Sequence, residues 1–338
     1  MKVLLYTESL KAISKSGLGK AIKHQMKALE YTKIMYTSNP KDKPYDIAHI
    51  NFYLWKSYRL ANRLKKEHIP IIYHAHSTEE DFRNSFIGSN LFSPIFKKWI
   101  CKCYKLGDII ITPTEYSKKL LESYQLNRKI YAVSNGIELE FFKRNENNGK
   151  KFREYYHYTP NDKVIVGIGL YLERKGILDF VELARRLPNY QFIWFGYTPL
   201  YTVPRKIRKA VRTKLPNLKF AGYVEPEMIK NALTGCNLYL FPTLEETEGI
   251  PIIEACAMKT PALIRDIPVF EGWLEDGVNV YKAKNIDEFE DKIVRILNHQ
   301  LKDLTTAAYH VAEERDIKKI GEQLKKIYLE AIQMKNKN

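Results

Sequence analysis

The sequence has few cysteines and no long hydrophobic run. Its 338 residues include only four cysteines, Cys101, Cys103, Cys236 and Cys256. They are too few for a disulfide scaffold, and their spacing fits no zinc site. No window reaches the ~18 uninterrupted apolar residues that a membrane-spanning helix needs, and the first apolar run is too short for a secretory signal. We therefore expect buried thiols in a reducing cytoplasm and no membrane-spanning segment.

Two glycine motifs that bind nucleotides are also missing. No Gly-x4-Gly-Lys-Ser/Thr occurs, which excludes a P-loop. The segment Ser16–Lys20 contains Gly17 and Gly19, but Ile22 stands where a dinucleotide-binding fingerprint needs its third glycine. Glycines at the start of a helix let a ligand approach the backbone N–H groups closely. A flexible loop and an anion-binding turn both fit this segment.

Positive charge is in excess and unevenly distributed. The chain has 55 Lys and Arg against 39 Asp and Glu, a net charge of +16. Residues 1–150 hold 26 basic and 14 acidic residues (+12), which leaves 29 and 25 (+4) for residues 151–338. A field of this sign favours an anionic partner, which can be nucleic acid, an anionic membrane or a phosphorylated substrate.

The order of apolar runs and helical patterns predicts an α/β protein. At 45% hydrophobic and 28% charged residues the chain can form ordinary cores. Short, nearly continuous apolar runs alternate with helical patterns in both halves, as in doubly wound parallel sheets. The polar stretch 145–151 is interpreted as a linker. We predict two Rossmann-like domains facing a central cleft, with boundaries at 1–148 and 151–315, and a C-terminal helix over 316–338 that packs back on the first domain.

The predicted strands are the apolar runs of this pattern. In the first half they are 2–7, 33–37, 47–52, 69–74, 108–112 and 129–133, and in the second half 164–169, 191–195, 218–221, 238–241, 262–264 and 278–281.

Two histidines mark the end of the fourth predicted strand. His74 and His76 are two residues apart, so they point to the same side of a strand. Such a histidine can donate a hydrogen bond to a substrate hydroxyl. The acidic run that follows, Glu79 to Asp81, keeps a metal site open as an alternative, but substrate contact is the favoured interpretation.

Two glutamates after another predicted strand form the most specific signal. Glu246 and Glu254 flank a Gly-Ile-Pro sequence, Gly249 to Pro251, at which a loop turns into a helix. Two carboxylates on one such loop can accept hydrogen bonds from the paired hydroxyls of a sugar or a ribose.

This glutamate pair resembles the Glu-x7-Glu motif of retaining nucleotide-sugar glycosyltransferases of family 4, which have the GT-B fold. Further matches are the Asn-Gly-Ile sequence at 135–137, Lys175-Gly176 after Gly169, and the segment 220–224 with Gly222 and Tyr223. The glycine segment and the strand-end histidine are also similar. The runs at 16–25, 74–82 and 172–176 most resemble bacterial enzymes that glycosylate diacylglycerol glycolipids.

The resemblance implies a reaction and a set of site residues. The donor would be UDP-glucose or UDP-galactose, the acceptor a glycolipid, and no metal would be required, which agrees with the lack of an Asp-x-Asp motif. The leaving phosphate would itself receive the acceptor proton. The implied catalytic residues are Lys175, Arg174, Glu246 and His76, and the implied donor-binding residues are Gly17, Gly19, Gly222, Tyr223, Gly249, Ile250, Pro251 and Glu254. The family's phosphate-binding arginine falls on Leu170, and Arg174 is the candidate replacement.

A helix over 90–106 is the candidate membrane contact. Apolar residues recur at helical spacing from Leu91 to Tyr104, with Trp99 among them, and Lys97, Lys98, Lys102 and Lys105 occupy the remainder. The alternative is an amphipathic helix packed on its own sheet. The basic and aromatic stretch 52–66 favours an anionic membrane surface, so we expect a cytoplasmic protein bound peripherally to the inner face of the membrane.

Two other functions are open alternatives. The same fold could act on a soluble or cell-wall polymer acceptor. A nucleic-acid-binding protein would explain the charge, but no nucleic-acid-binding motif occurs, so we expect no nucleic acid partner.

Overall fold

The computed structural model describes residues 1–8 and 16–336. The chain divides into two compact units. Unit 1 comprises Met1–Phe82, Leu91–Glu138 and Arg315–Asn338, and unit 2 comprises Arg83–Asn90 and Leu139–Glu314.

Unit 1 is built on a six-stranded parallel sheet with strand order β2-β1-β3-β4-β5-β6. The strands are β1 Lys2–Tyr6, β2 Met35–Thr37, β3 Ile47–Ile50, β4 Ile71–His74, β5 Ile109–Thr112 and β6 Lys129–Ala132. The helices are α1 Gly17–Tyr31, α2 Trp55–Lys66, α3 Glu79–Phe82, α4 Ser89–Tyr104, α5 Glu115–Ser123 and the C-terminal α13 Ile317–Asn336.

Helices cover both faces of this sheet, which is why its central strands are mostly apolar. Strands β3, β4 and β5 are buried along their whole length. Helix α13 packs against one face, where Leu324 and Tyr328 join the core formed by β1 and β3. It also lies very close to α1: an added Cβ on Gly321 would come within 2.5 Å of the Ala28 carbonyl oxygen.

Unit 2 repeats the architecture, with strand order β12-β11-β10-β7-β8-β9. The strands are β7 Val164–Ile168, β8 Gln191–Phe195, β9 Leu218–Gly222, β10 Leu238–Phe241, β11 Ala262–Arg265 and β12 Tyr281–Ala283. The α-helices are α6 Glu146–Tyr156, α7 Ile177–Arg186, α8 Arg205–Val211, α9 Pro226–Gly235, α10 Ile250–Ala257, α11 Ile286–Leu297 and α12 Thr305–Glu313, and short 3-10 helices cover Glu173–Lys175, Leu200–Thr202 and Pro268–Phe270.

The two sheets confirm the predicted fold class of two Rossmann-like doubly wound domains. Every strand pair in both sheets is parallel, as helical crossovers require. None of the helices in the described part of the chain combines the length and apolar composition needed to cross a membrane.

Two local predictions are wrong. The polar stretch 145–151 is no linker: Asn145 caps helix α6 by accepting a hydrogen bond from the backbone N–H of Asn147, 3.0 Å away. This helix packs tightly on α9, because Gly149 lies where an added Cβ would be 3.0 Å from the Cα of Gly235. The last strand begins later than predicted, since Gly277 turns the chain with a φ of +71° and its N–H donates to the Val280 carbonyl at 2.9 Å.

Candidate active site

A charged centre lies at the carboxyl ends of β7 and β10 in unit 2. Lys175, in the short helix after β7, donates a hydrogen bond through Nζ to Oε1 of Glu246, in the loop after β10. Thr243 Oγ1 donates to the same oxygen at 2.9 Å, and Nη1 of Arg174 is 4.0 Å from Oε2. The side chain of Glu246 is only 7% exposed and that of Lys175 14%. The centre therefore holds two cations against one carboxylate with little water around them.

A glycine brings the two loops of this centre together. Gly176 follows Lys175 with a φ of +73°, and a Cβ added to it would lie 2.0 Å from the carbonyl oxygen of Pro242, at the end of β10. A side chain there would clash with the backbone, and the left-handed conformation itself favours glycine. The sequence Lys-Gly thus places the lysine directly over the neighbouring strand end.

Arg174 joins the two loops through its backbone and its side chain. Its carbonyl oxygen accepts hydrogen bonds from the Thr243 hydroxyl at 3.0 Å and from the Leu244 N–H at 2.6 Å. Its guanidinium donates to the Ser85 hydroxyl at 2.9 Å and to the Glu245 carbonyl at 3.2 Å. Leu170, where the family's arginine is missing, instead packs against the core of unit 2. Arg174 therefore lies beside the same carboxylate as Lys175, and its role as the replacement for that arginine stays a prediction.

Glu254 lies deeper than Glu246. It sits in helix α10, whose N-terminus is formed by Gly249 with a φ of +96° and by Pro251 in the first turn, and its side chain is fully buried. Both carboxylates act on the buried Tyr239. Burial first, and then the negative charges of Glu254 and Glu246, raise the pKa of its hydroxyl well above the ordinary value. Ile250, beside Gly249, is also buried.

Gly222 ends the edge strand β9 of the same sheet, and Tyr223 follows it. Gly222 has a φ of +73° with open space around its Cα, and its carbonyl oxygen accepts from the Gly196 N–H at 2.8 Å. Gly196 in turn touches the backbone of Gly169, since an added Cβ would lie 1.9 Å from that carbonyl oxygen. Tyr223 is 38% exposed. Direct backbone contacts at Gly169, Gly196 and Gly222 thus hold the ends of β7, β8 and β9 close together. The ring of Tyr223 is partly exposed beside them.

Unit 1 carries a different centre, made of neutral histidines. His74 and His76 do point to the same side of the chain: their rings stack with centroids 3.9 Å apart and planes 2° apart. The ring of His49, on the adjacent strand β3, lies parallel to that of His74, with centroids 5.2 Å apart and planes 5° apart. We call these three rings the histidine column.

Burial keeps the histidine column uncharged. It lowers the pKa of His49 and of His76 to about 3, and the pKa of His74 well below its ordinary value. His76 is half-buried and its Nε2 is 2.9 Å from Oδ1 of Asn51. Because Oδ1 can only accept, Nε2 carries the proton and Nδ1 of His76 keeps its lone pair. A ring of this kind can accept a hydrogen bond from a substrate hydroxyl, whereas the sequence predicted a donor.

The glycine segment lies at the start of α1 in the same unit. Ser16 caps the helix: its hydroxyl oxygen accepts from the Gly19 N–H at 3.3 Å. An added Cβ on Gly17 would meet nothing within 4 Å, whereas Gly19 is buried. His24, one turn further, is held by the carbonyl oxygens of Asn135 and Gly136 at 3.3 and 2.8 Å. Burial lowers the pKa of His24 to about 4. A donor-binding role for Gly17 and Gly19 stays a prediction.

The apolar residues of helix α4 are buried along only part of its length. Ile100, Cys103 and Tyr104 are fully buried in the core of unit 1. The first half is different, because Leu91, Phe92 and Ile95 are 77%, 54% and 65% exposed. The second half of α4 therefore packs on its own sheet, while the first half presents an apolar surface. Contact of that surface with a membrane stays a prediction.

The aromatic and basic residues of α4 do not follow this division into halves. Trp99 is half-buried, donates its indole N–H to the Tyr53 carbonyl at 2.6 Å and stacks on Trp55, which is 50% exposed. Lys97 turns inward, with Nζ 3.3 Å from Glu79 and 4.1 Å from the ring centre of Tyr124. Lys98, Lys102 and Lys105 remain at the surface.

The structure thus places the four predicted catalytic residues in two groups. In unit 2 it joins Lys175, Arg174 and Glu246. In unit 1 it joins His74 and His76 and adds His49, which sequence reasoning missed although it also lies in a buried strand. Within residues 1–8 and 16–336, no three histidine, cysteine, aspartate or glutamate side chains are grouped as metal ligands.

Comparison with known proteins gives matches along the whole chain. The family model of glycosyl transferases group 1 matches residues 150–315, and that of Glycosyltransferase Family 4 matches residues 36–141. The processive diacylglycerol alpha-glucosyltransferase of Acholeplasma laidlawii is 42% identical over 338 residues, which cover 99% of this chain and 100% of that protein. The alpha-galactosylglucosyldiacylglycerol synthase of Streptococcus pneumoniae is 24% identical over 69% of this chain and 65% of that protein.

Solved structures show the same fold. The Anabaena protein Alr3699/HepE in complex with UDP-glucose superimposes with a TM-score of 0.75 at 18% identity, covering 97% of this chain and 99% of that chain. A glycosyltransferase from Rickettsia africae gives a TM-score of 0.67 at 17% identity, covering 98% of each chain.

Proposed function

This chain belongs to the family 4 glycosyltransferases with the GT-B fold, and from that premise we propose that it transfers glucose from UDP-glucose to a diacylglycerol or glucosyldiacylglycerol acceptor, with retention of configuration, at an anionic membrane surface. Glucose is preferred to galactose because the relative that matches along its full length is named a glucosyltransferase. The alpha linkage in that name supports retention.

The observation that carries the proposal is the charged centre. Departure of UDP builds negative charge on the β-phosphate, and preplaced cations in a site with little water lower the barrier. Lys175 and Arg174 are such cations, held in place by the loop contacts of Thr243 and Gly176. Lys175 donates a hydrogen bond to Glu246. A bound diphosphate would compete for that lysine and leave Glu246 to accept hydrogen bonds from the hydroxyls of the sugar.

The reaction balances without a protein nucleophile. The bond between the anomeric carbon and the phosphate oxygen breaks, and a bond from that carbon to the acceptor oxygen forms on the same face. The acceptor proton passes to the departing phosphate oxygen. The neutral His76 ring, with its lone pair on Nδ1, would bind and orient a sugar hydroxyl rather than carry charge. Glu254 would hold the ribose diol.

Metal is not needed in this scheme, because Lys175 and Arg174 supply the positive charge that a bound cation supplies in other transferases. We therefore propose that transfer proceeds without a divalent ion.

The membrane contact is proposed for the exposed first half of α4. Leu91, Phe92 and Ile95 would insert between lipid headgroups, and Lys98, Lys102 and Lys105 would face anionic lipids. Each basic residue near an anionic leaflet contributes about 1 kcal/mol. This contact would hold the enzyme reversibly on the cytoplasmic face of the membrane.

A lipid transfer assay tests the function. The purified chain is incubated with UDP-glucose and vesicles that contain diacylglycerol and an anionic phospholipid, and the lipid product is analysed by mass spectrometry and by proton NMR of the anomeric centre. An α-glucosyl lipid is expected. No lipid product with UDP-glucose or UDP-galactose, together with glycosylation of a soluble or polymeric acceptor, would contradict the proposal.

Vesicle sedimentation tests the membrane contact separately. The triple variant Leu91→Ser, Phe92→Ser, Ile95→Ser should lose most of its binding to anionic vesicles while keeping its melting temperature. The matched control replaces exposed apolar residues of unit 2, Tyr155→Ser and Val278→Ser, which are 66% and 53% exposed, and should bind as the wild type does. Equal binding by all three proteins would exclude this face of α4.

A further inference from the structure

The histidine column is continued by a tyrosine from the C-terminal helix. The hydroxyl of Tyr328 on α13 is 2.6 Å from Nδ1 of His49, and Nε2 of His49 is 3.1 Å from Nδ1 of His74. Tyr328 is fully buried and lies 279 residues from His49. A hydrogen-bonded path thus leads from the end of the chain into the middle of the sheet.

The direction of the hydrogen bonds in this path is determined by its members. Burial raises the pKa of Tyr328, so its hydroxyl keeps the proton and donates it to Nδ1 of His49. A neutral His49 then has its proton on Nε2 and donates it to Nδ1 of His74. Nε2 of Gln25 lies 2.9 Å from the same Nδ1 and is likewise a donor. His74 therefore accepts at Nδ1 and carries its own proton on Nε2.

Nothing on the other side of His74 competes with this assignment. Its Nε2 has no hydrogen-bond partner in the described part of the chain. The tautomer of His74 is thus decided at Nδ1, by the donors His49 and Gln25, because the hydrogen bond at one ring nitrogen fixes the state of the other. The His49 donation depends in turn on Tyr328: without that hydroxyl, His49 can carry its proton on either nitrogen.

We propose that Tyr328 and His49 are positioning residues for His76, acting through the tautomer and the parallel stacking of His74. This proposal rests on the proposed function, in which His76 touches the substrate. Stacked rings 3.9 Å apart interact through their dipoles, so the position of the His74 proton affects the preferred orientation of the His76 ring. That orientation is the one in which the Nε2–H of His76 meets Asn51 and Nδ1 is left to the substrate hydroxyl. A ring held in this way by its neighbours is preorganised for binding.

The test compares two tyrosine hydroxyls that anchor the same helix. Tyr328→Phe removes the hydroxyl that bonds to His49. Tyr131→Phe removes a hydroxyl that bonds to Glu330 on the same helix at 2.6 Å but has no contact with the column. Both variants should lower the melting temperature by similar, small amounts, since each loses one hydrogen bond of α13.

Two readouts separate positioning from stability. In nitrogen-15 NMR of the histidine side chains, wild type and Tyr131→Phe should show His74 as a single Nε2–H tautomer. Tyr328→Phe should show a mixture, because without the His49 donation the Gln25 amide can rotate and accept from a protonated Nδ1 of His74 through Oε1, which has no other partner in the described part of the chain. Only Tyr328→Phe should lower kcat, on the order of tenfold, with the KM for the donor unchanged. His49→Gln, which keeps an acceptor for Tyr328 and a donor for His74, should retain more activity than His49→Leu.

The outcomes distinguish this inference from the proposed function. A pure His74 tautomer in Tyr328→Phe, or equal losses of kcat in both tyrosine variants, would overturn the positioning role. If the wild-type protein glycosylates no lipid, the proposed function fails, while the NMR comparison still reports on the column itself.

Discussion

The two units have the same architecture, but their centres use opposite electrostatics. In unit 2 the ends of β7 and β10 carry the fully charged set of Lys175, Arg174 and Glu246. In unit 1 the ends of β3 and β4 carry histidines that burial keeps neutral. A doubly wound sheet offers its carboxyl edge for binding in either case, and the side chains at that edge decide the chemistry.

This difference matches the two parts of a nucleotide-sugar reaction. A diphosphate carries charge that only cations can balance, whereas hydroxyl groups are neutral and need hydrogen bonds of defined direction. The charged centre of unit 2 suits a diphosphate. The neutral histidines of unit 1, whose tautomers are fixed by their neighbours, suit hydroxyl groups. The general excess of positive charge in residues 1–150 does not reach the histidine column, because it lies on exposed side chains such as Lys98 and Lys102.

The largest expected effect is on the charged centre. Lys175→Ala removes one of the two cations and should lower kcat by about 10²–10³-fold, the usual cost of losing one preorganised electrostatic contact. Lys206→Ala is the matched control, since Lys206 forms an ion pair with Glu173 but is 54% exposed. Initial rates and melting temperatures are measured for both. If a stably folded Lys175→Ala variant turned over at the wild-type rate, Lys175 would have no catalytic role.

Acid should affect the two units differently. Burial lowers the pKa values of His24, His49 and His76 to between about 3 and 4, below the value of about 6.5 in an unfolded chain. Between these values the unfolded state binds more protons, so the stabilisation is present above pH 6.5 and is lost as the pH falls towards 4. Each histidine contributes on the order of 1 kcal/mol per pH unit in that window.

Hydrogen exchange followed by mass spectrometry checks this difference. On lowering the pH from 7 to 4.5, amides in the strands of unit 1 should lose protection before those of unit 2, after correction for the intrinsic exchange rate. Loss of protection in unit 2 first would show that its ion pairs, and not the buried histidines, limit stability in acid.

A smaller effect is expected from the glycine that shapes the charged centre. Gly176→Ala and Gly277→Ala both place alanine at a φ near +70°, but only at Gly176 would the new Cβ meet backbone, the carbonyl of Pro242. Both should lose about 1 kcal/mol or more of unfolding free energy from strain, and Gly176→Ala a further 1–3 kcal/mol from the contact. Urea unfolding measures the free energy of unfolding of both variants. Equal losses would mean that the backbone at Pro242 can move away from the new Cβ at little cost.

These comparisons also show what the sequence could and could not predict. Strands such as β3 and β4 are recognisable because both faces are buried and all but one of their four positions are apolar or aromatic. The contact of Lys175 with Glu246, 71 residues apart, follows from β7 and β10 being neighbours in the sheet. Strand order is not written in the local pattern, and only the family resemblance suggested that pair.

Other features depend on packing that composition conceals. The stretch 145–151 is polar enough for a linker, yet it is helical because Gly149 fits against Gly235. Tyr328 and its partner His49 lie 279 residues apart in the sequence, so no local pattern connects them. In α4 the helical period was correct, but the period cannot tell where a helix leaves its sheet and becomes exposed.

The smallest expected effect is that of chelation. If Lys175 and Arg174 supply the positive charge for the departing diphosphate, EDTA should leave the transfer rate within about twofold. The rate is measured before and after chelation, and again after magnesium or manganese is restored. If chelation abolished activity and either ion restored it, a bound metal would be needed to neutralise part of the diphosphate charge.

Calorimetric titration with UDP tests the division between the two centres most directly. UDP carries the diphosphate but no sugar, so its affinity should fall at least tenfold in Lys175→Ala and stay within about twofold of wild type in His76→Ala. Transfer to the lipid acceptor, measured on the same preparations, should fall in both variants. Equal losses of UDP affinity in the two variants, or an unchanged affinity in Lys175→Ala, would contradict the account.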